Sequence, residues 1–121
     1  MNFTKEQIDY YKSKALFLSK PFALQYEELY MLGDYITDDI ANDWIESDIP
    51  LLEEMVKYGI ISYKAVEFYK KILENFSIVS LNGIDFNDVI WSLDGLRSHD
   101  FWENQRFLAK KFLGEFDKTN I

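Results

Sequence analysis

Seven positions constrain this chain more than any others. Phe22, Tyr26, Leu29, Gly33, Ile36, Ile40 and Trp44 fall on one stripe at the spacing of a helix, about 3.6 residues per turn. All seven acids between Glu27 and Glu46 lie off that stripe. The pattern therefore predicts helix with one buried face and one acidic face. Gly33-Asp34 is the weak point, because a glycine inside a helical pattern is a kink or a boundary. The spacing predicts two helical segments, 21–32 and 35–46.

The same stretch carries the charge. From Pro21 to Val56 there are ten acids (Glu27, Glu28, Asp34, Asp38, Asp39, Asp43, Glu46, Asp48, Glu53 and Glu54) and no Lys, Arg or His. The chain as a whole is at -8, from 13 basic and 21 acidic residues. Subtracting the -10 of the stretch leaves +2 for the rest of the chain. The acidity is local. A local acidic field disfavours nucleic acid and anionic membrane, whose binding relies on Lys and Arg. Its natural complement is a basic protein.

At 121 residues the length prior gives one domain, spanning 1–121. A chain of this size buries about 65% of its unfolded surface, enough for a proper core. The aromatic stock of 10 Phe, 8 Tyr and 3 Trp argues against disorder. There is no cysteine, which excludes disulfides and thiol chemistry and fits a reducing, cytoplasmic setting. Met1 to Lys14 is polar and has no signal-peptide core. The longest uncharged stretch, Asn75 to Ile84, is too short for a membrane span.

Start and stop signals divide the remainder into helices. Thr4-Lys5-Glu6-Gln7 reads as a capping box with Phe3 and Ile8 as a staple, opening a helix from Lys5 to Leu18. Ile8, Tyr11, Ala15 and Leu18 form its apolar face; Lys5, Glu6, Asp9, Lys12 and Lys14 lie mostly elsewhere. Lys20-Pro21 ends it. Asp48 and Pro50 open a helix carrying Leu51, Leu52, Met55, Val56 and Tyr58, and Gly59 closes it. Ser62 is placed to cap the next, with Val66, Tyr69, Leu73 and Phe76 inside and Lys64, Lys70 and Lys71 outside. The short connection between these two predicts a helical hairpin. Ile78-Val79-Ser80-Leu81 reads as an extended connector before Asn82-Gly83. Asp85 caps a short helix with Val89, Ile90 and Trp91 that Asp94-Gly95 ends. Ser98 or Asp100 opens the last helix, with Trp102, Gln105, Ala109, Phe112 and Phe116 along one side. The expected fold is all-α, a single-domain bundle of five to seven helices.

Catalytic signals are weak. Asp38, Asp39 and Asp43 could hold Mg²⁺ beside a substrate phosphate, but a run of acids on a helix is ordinarily a solvated face. Ser98-His99-Asp100 holds the residue types of a triad as consecutive neighbours, whose side chains diverge. Capping accounts for Ser98 and Asp100, and His99 reads as an exposed first-turn residue. No glycine-rich phosphate loop is present. Trp44, Trp91 and Trp102 read as core. Arg97 and Arg106 could clamp a carboxylate, with pairing to Asp94, Asp100 or Glu103 the plainer reading. No metal, cofactor or catalytic residue is therefore assigned.

Binding is better supported. In a continuous helix Met31 and Tyr35 point away from the apolar stripe, between Glu27, Asp34 and Asp38 on one side and Glu28 and Asp39 on the other. An apolar anchor ringed by acids suits a basic partner. A kink at Gly33 would instead turn Tyr35 into the core. The candidate partner-binding residues are Glu27, Glu28, Met31, Asp34, Tyr35, Asp38, Asp39 and Glu46.

The C-terminal third reads Asp88-Val89-Ile90-Trp91-Ser92-Leu93-Asp94-Gly95-Leu96-Arg97-Ser98-His99-Asp100-Phe101-Trp102, then Arg106-Phe107-Leu108-Ala109-Lys110-Lys111-Phe112-Leu113. It resembles small bacterial immunity proteins of contact-dependent growth inhibition and related polymorphic toxin systems. Those have a short helix with Trp and Leu, a turn, and a Trp-bearing helix ending in an Arg…Leu-Ala-Lys segment. The resemblance implies a cytosolic inhibitor that binds and blocks one cognate toxin domain, often a basic nuclease. Contact residues vary within such families, so none is carried over. Two other readings stand beside it. One is a helical adaptor whose acidic face keeps it soluble; the other is a metal-dependent enzyme using Asp38, Asp39 and Asp43.

Overall fold

Thr4 opens the first helix as its sequence requires. Its hydroxyl accepts the Gln7 N–H at 3.3 Å, and the Gln7 side chain accepts the Thr4 N–H at 2.6 Å. Two of the first-turn donors that lack helical partners are thereby satisfied. The helix, α1 (Lys5–Ser19), stops where Lys20 turns extended ahead of Pro21. The computed structural model describes residues 4–30, 36–45, 49–79 and 88–119, with the side chains of 28–30, 36, 38, 39, 43, 45, 93 and 117–119 outside that description.

Six further helices follow among the described residues: α2 (Phe22–Tyr30), α3 (Ile36–Ile45), α4 (Ile49–Lys57), α5 (Tyr63–Val79), α6 (Leu93–Ser98) and α7 (Asp100–Thr119). There is no strand among them. The fold is an all-α bundle; the stripe runs over α2 and α3, and the boundary expected at Gly33-Asp34 lies outside the described residues. Phe3, Asp48 and Asp85, expected as staple and caps, lie outside the described residues.

The α4–α5 link is closed by glycine chemistry. The Ile60 N–H reaches the Met55 carbonyl at 2.9 Å and the Gly59 N–H reaches Val56 at 3.0 Å. This is the paired bonding of a Schellman turn, and it needs a residue in the left-handed region. Gly59 supplies it with φ +76°. Leu52 and Met55 are buried as expected, whereas Tyr58 sits past the helix end and is exposed. Ser62 precedes α5, and its hydroxyl donates to the buried Glu115 carboxylate of α7.

The longest helix, α7, is the axis. Both α1 and α5 pack along it, α3 and α4 pack on α5, and α6 packs against the start of α7. Trp102, Gln105, Ala109, Phe112 and Phe116 are all buried on one side of α7, as their spacing predicts. Two ring clusters fill the core. Around Tyr69 stand Trp44 at 4.7 Å, Phe112 at 5.3 Å and Tyr11 at 5.8 Å between centroids. Around Phe76 stand Trp102 at 5.6 Å, Phe101 at 5.7 Å and Trp91 at 6.3 Å. Offset and edge contacts at these distances add about 0.5–1.5 kcal/mol per pair beyond area burial. The indole N–H groups are satisfied internally, Trp91 on the Val79 carbonyl at 2.8 Å and Trp102 on Ile90 at 2.6 Å.

Four sequence expectations are corrected. Ile78 and Val79 continue α5 instead of forming a connector, because Val79 is buried behind Phe76 and its carbonyl takes the Trp91 indole. Val89, Ile90 and Trp91 lie in turns, not in a helix. The short helix begins after them, with Ser92 accepting the Gly95 N–H at 3.0 Å as N-cap. Asp94-Gly95 is thus the first turn of α6 and not an end. Gly95 is required for closeness: a Cβ there would stand 1.9 Å from the Val89 carbonyl oxygen and 2.8 Å from that of Ile90. Finally, Lys14 is only 7% exposed and belongs to the core.

Candidate functional site

The acidic segment is held by a well-seated helix. On α3, Thr37, Ile40, Ala41 and Trp44 are buried, the i, i+3, i+4, i+7 set of one helical face. The Thr37 hydroxyl also donates to the Trp91 carbonyl at 2.7 Å, tying α3 to the turn before α6. In this register positions 38, 39, 42 and 43 fall off the buried stripe, and Asn42 is exposed. Glu27, on α2, is exposed. Glu28, Asp38, Asp39 and Asp43 are placed on α2 and α3 by their backbone. Met31, Asp34, Tyr35 and Glu46 lie outside the described residues, so the expected ringed anchor does too. Among the described residues no group of three or more acids or histidines could hold a metal ion; the side chains of Asp38, Asp39 and Asp43 are not among those described.

Beside α3 lies a feature that the sequence pattern did not reveal. The Lys14 ammonium donates to the Tyr69 hydroxyl at 2.6 Å. It also stands over four rings: Tyr10 at 4.8 Å, Tyr11 at 4.9 Å, Tyr69 at 5.1 Å and Trp44 at 5.2 Å. A buried ammonium loses its hydration, and ring faces with a hydroxyl acceptor replace part of it. The spacing of Tyr10 and Tyr11 to Lys14, i to i+4 and i to i+3, was the available signal. The contribution from Trp44 and Tyr69 was not local and could not be read. Next to this cage, α1 and α3 leave a groove of about 250 Å³ lined by Tyr10, Ser13, Lys14, Phe17, Ile40 and Trp44.

Both arginines take the plainer role. Arg97 pairs with Asp94 at 3.1 Å on the surface and lies over the Phe22 ring at 5.2 Å. Arg106, 5% exposed, pairs with Glu103 at 2.7 Å. Its other donors reach Gln25 of α2 at 2.9 and 3.3 Å and the Leu96 carbonyl of α6 at 2.5 Å. One guanidinium thus joins three helices and spends its donors inside the fold. Gln25 completes the joint by donating to the Leu18 carbonyl at 3.0 Å.

His99 is neither exposed nor in a first turn. Its backbone N–H closes α6 on Gly95 at 2.8 Å, and its Nδ1 accepts the Phe101 N–H at 3.0 Å. It is therefore the C-cap of α6 and caps the start of α7 at once. Ser98 donates to the Asp94 carbonyl at 3.0 Å. The three triad-like residues are thus not arranged as a triad.

No family description, curated protein or solved structure matches this chain significantly.

Proposed function

We propose that this chain is a non-enzymatic inhibitor of the immunity type, which binds a cognate bacterial toxin domain of basic charge and occludes its active cleft. The observation that carries the reading is the distribution of charge. Ten acids and no base lie between Pro21 and Val56, while the rest of the chain sums to +2. The acids would stand where substrate phosphates stand in a nuclease cleft, and would steer association as well as select the partner. The seating of α3 through Thr37, Ile40, Ala41 and Trp44 supports the reading, since a rigid scaffold lowers the ordering cost of binding. In this reading the protein works in the bacterial cytoplasm, where its lack of cysteine is no handicap.

The test is co-expression with a candidate toxin domain of basic charge, taken from the C-terminus of whatever large protein the neighbouring gene encodes. Co-elution and protection of the cells are expected, both weakened in a Glu27→Lys, Asp38→Lys, Asp39→Lys variant. Absence of both complex and protection in the wild type would reject the inhibitor and favour a helical adaptor. Thermal stabilisation by Mg²⁺ that is lost in Asp38→Asn would favour the metal-dependent enzyme.

A further inference from the structure

We propose that the outward face of α7 is a docking surface for an acidic amphipathic helix of a partner protein. The face is separate from the acidic stretch, so the inference goes beyond the inhibitor reading and stands without it.

Geometry comes first. Phe107, Lys110, Lys111 and Gly114 take the i, i+3, i+4 and i+7 positions of one helical face. Gln105, Ala109, Phe112 and Phe116 occupy the opposite face and are buried. Phe107 is 54% exposed. It is the shared wall of two grooves, one of about 300 Å³ that reaches Ser19 and Pro21, and one of about 420 Å³ that reaches Gly114 and Glu115. Among the described residues, nothing requires a glycine at 114. It lies inside a 20-residue helix, where glycine is a poorer helix former than alanine. Its φ is not positive, and a Cβ there would meet nothing within 4 Å. A bare Cα beside a groove lets a second backbone come close. A partner helix suits that arrangement, since the ridges of one helix pack into the grooves of another.

Charge selects the partner. Lys110 lines both grooves and Lys111 the larger one, and both are exposed. Among the described residues neither takes part in an ion pair; Lys111 lies over the Phe107 ring at 5.2 Å. The acids that line the grooves are engaged within the fold, Glu103 with Arg106 at 2.7 Å and Glu115 as acceptor of the Ser62 hydroxyl. Carboxylates of a partner therefore meet two ammonium groups, with Phe107 beside them as the apolar contact. The α3 segment does not cancel this field. It meets α7 on the buried side, where Trp44 and Phe112 stand 6.0 Å apart between centroids, so α7 itself lies between α3 and the docking face. Packed helix axes stand about 8–10 Å apart, and physiological salt screens charge over about 8 Å.

The test uses the full chain, isotope-labelled, with blocked peptides that repeat the heptad Leu-Glu-Glu-Leu-Ala-Glu-Glu. One control carries Lys for Glu, and another carries Ser for Leu. The acidic amphipathic peptide is expected to shift the resonances of Phe107, Lys110, Lys111 and Gly114. It should bind about tenfold more tightly than either control. Gly114→Leu separates docking from folding, because its side chain enters open space. It should leave Tm unchanged or raised and weaken the peptide about tenfold. Lys110→Glu, Lys111→Glu should weaken it as much and remove its salt dependence. No binding, shifts mapping to another face, or equal affinity for the Lys control would overturn the proposal. So would a Gly114→Leu chain that binds as tightly as the wild type. Self-association of the chain alone, abolished by Lys110→Glu, Lys111→Glu, would assign the face to a second copy and also overturn the partner helix. A chain that docks the acidic peptide and protects no cell keeps this face and removes the inhibitor.

Discussion

Two buried cations decide most at the level of single residues, and neutral groups take a large share in holding each of them. Lys14 meets the Tyr69 hydroxyl at 2.6 Å among four rings. Removing that acceptor leaves a desolvated ammonium less well served, which costs about 1–3 kcal/mol. Tyr69→Phe should therefore lower stability by about that amount in the wild type. In a Lys14→Met background, where no ammonium remains to be served, the same change should cost at least about 1 kcal/mol less. Chemical denaturation of the four proteins in this cycle measures the coupling, and additive effects would refute it. Arg106 joins Gln25, Leu96 and Glu103. Arg106→Ala strands buried acceptors on two other helices and should cost about 3 kcal/mol or more by the same measurement. Arg106→Lys should recover little, since an ammonium cannot reproduce the fork.

Helices and their junctions were partly legible in the sequence, and the division has a physical cause. Local rules gave the capping box at Thr4, the stop at Lys20-Pro21, the turn at Gly59 and the buried side of α7, because each depends on residues within a turn or two. They failed at 88–99, where the deciding contacts are between elements. Asp94-Gly95 carries the usual signal of a helix end. It instead opens α6, because Ser92 caps it and the bare Cα of Gly95 lets the helix rest on the Val89 and Ile90 carbonyls. A Cβ placed 1.9 Å from a backbone oxygen forces the two elements apart. Gly95→Ala should thus lose about 3 kcal/mol, at the upper end for overpacking. Gly114, inside α7, should behave oppositely, because a methyl group added there would meet nothing within 4 Å. Gly114→Ala should gain about 0.5–1 kcal/mol, as alanine is the better helix former. Thermal unfolding of the pair tests the contrast. His99 was missed for a similar reason, as histidine is an unusual N-cap. His99→Ala should cost about 1 kcal/mol, and His99→Asp much less, by urea unfolding.

For the whole molecule, the organising fact is that the net acidity sits in one stretch of chain that also feeds the core. Helices α1, α3, α5 and α7 share the aromatic core, and the acids concentrate between Pro21 and Val56, where Ile40, Ala41, Trp44, Leu52 and Met55 are buried. The all-α bundle was readable because periodicity and aromatic content are properties of the sequence. The candidate site was readable only as a location. Glu27 is exposed and α3 is seated as its stripe requires, but the Lys14 cage and its groove needed α1, α3 and α5 brought together. The central claim concerns that acidic location, so the decisive measurement is the association rate with the candidate toxin domain across ionic strength, for the wild type and for Glu27→Lys, Asp38→Lys, Asp39→Lys. Steering by the acidic stretch predicts a wild-type rate that falls by about tenfold or more from low to high salt, and a variant that starts slow and changes little. A wild-type rate indifferent to salt, or a variant that associates as fast as the wild type, would contradict the account.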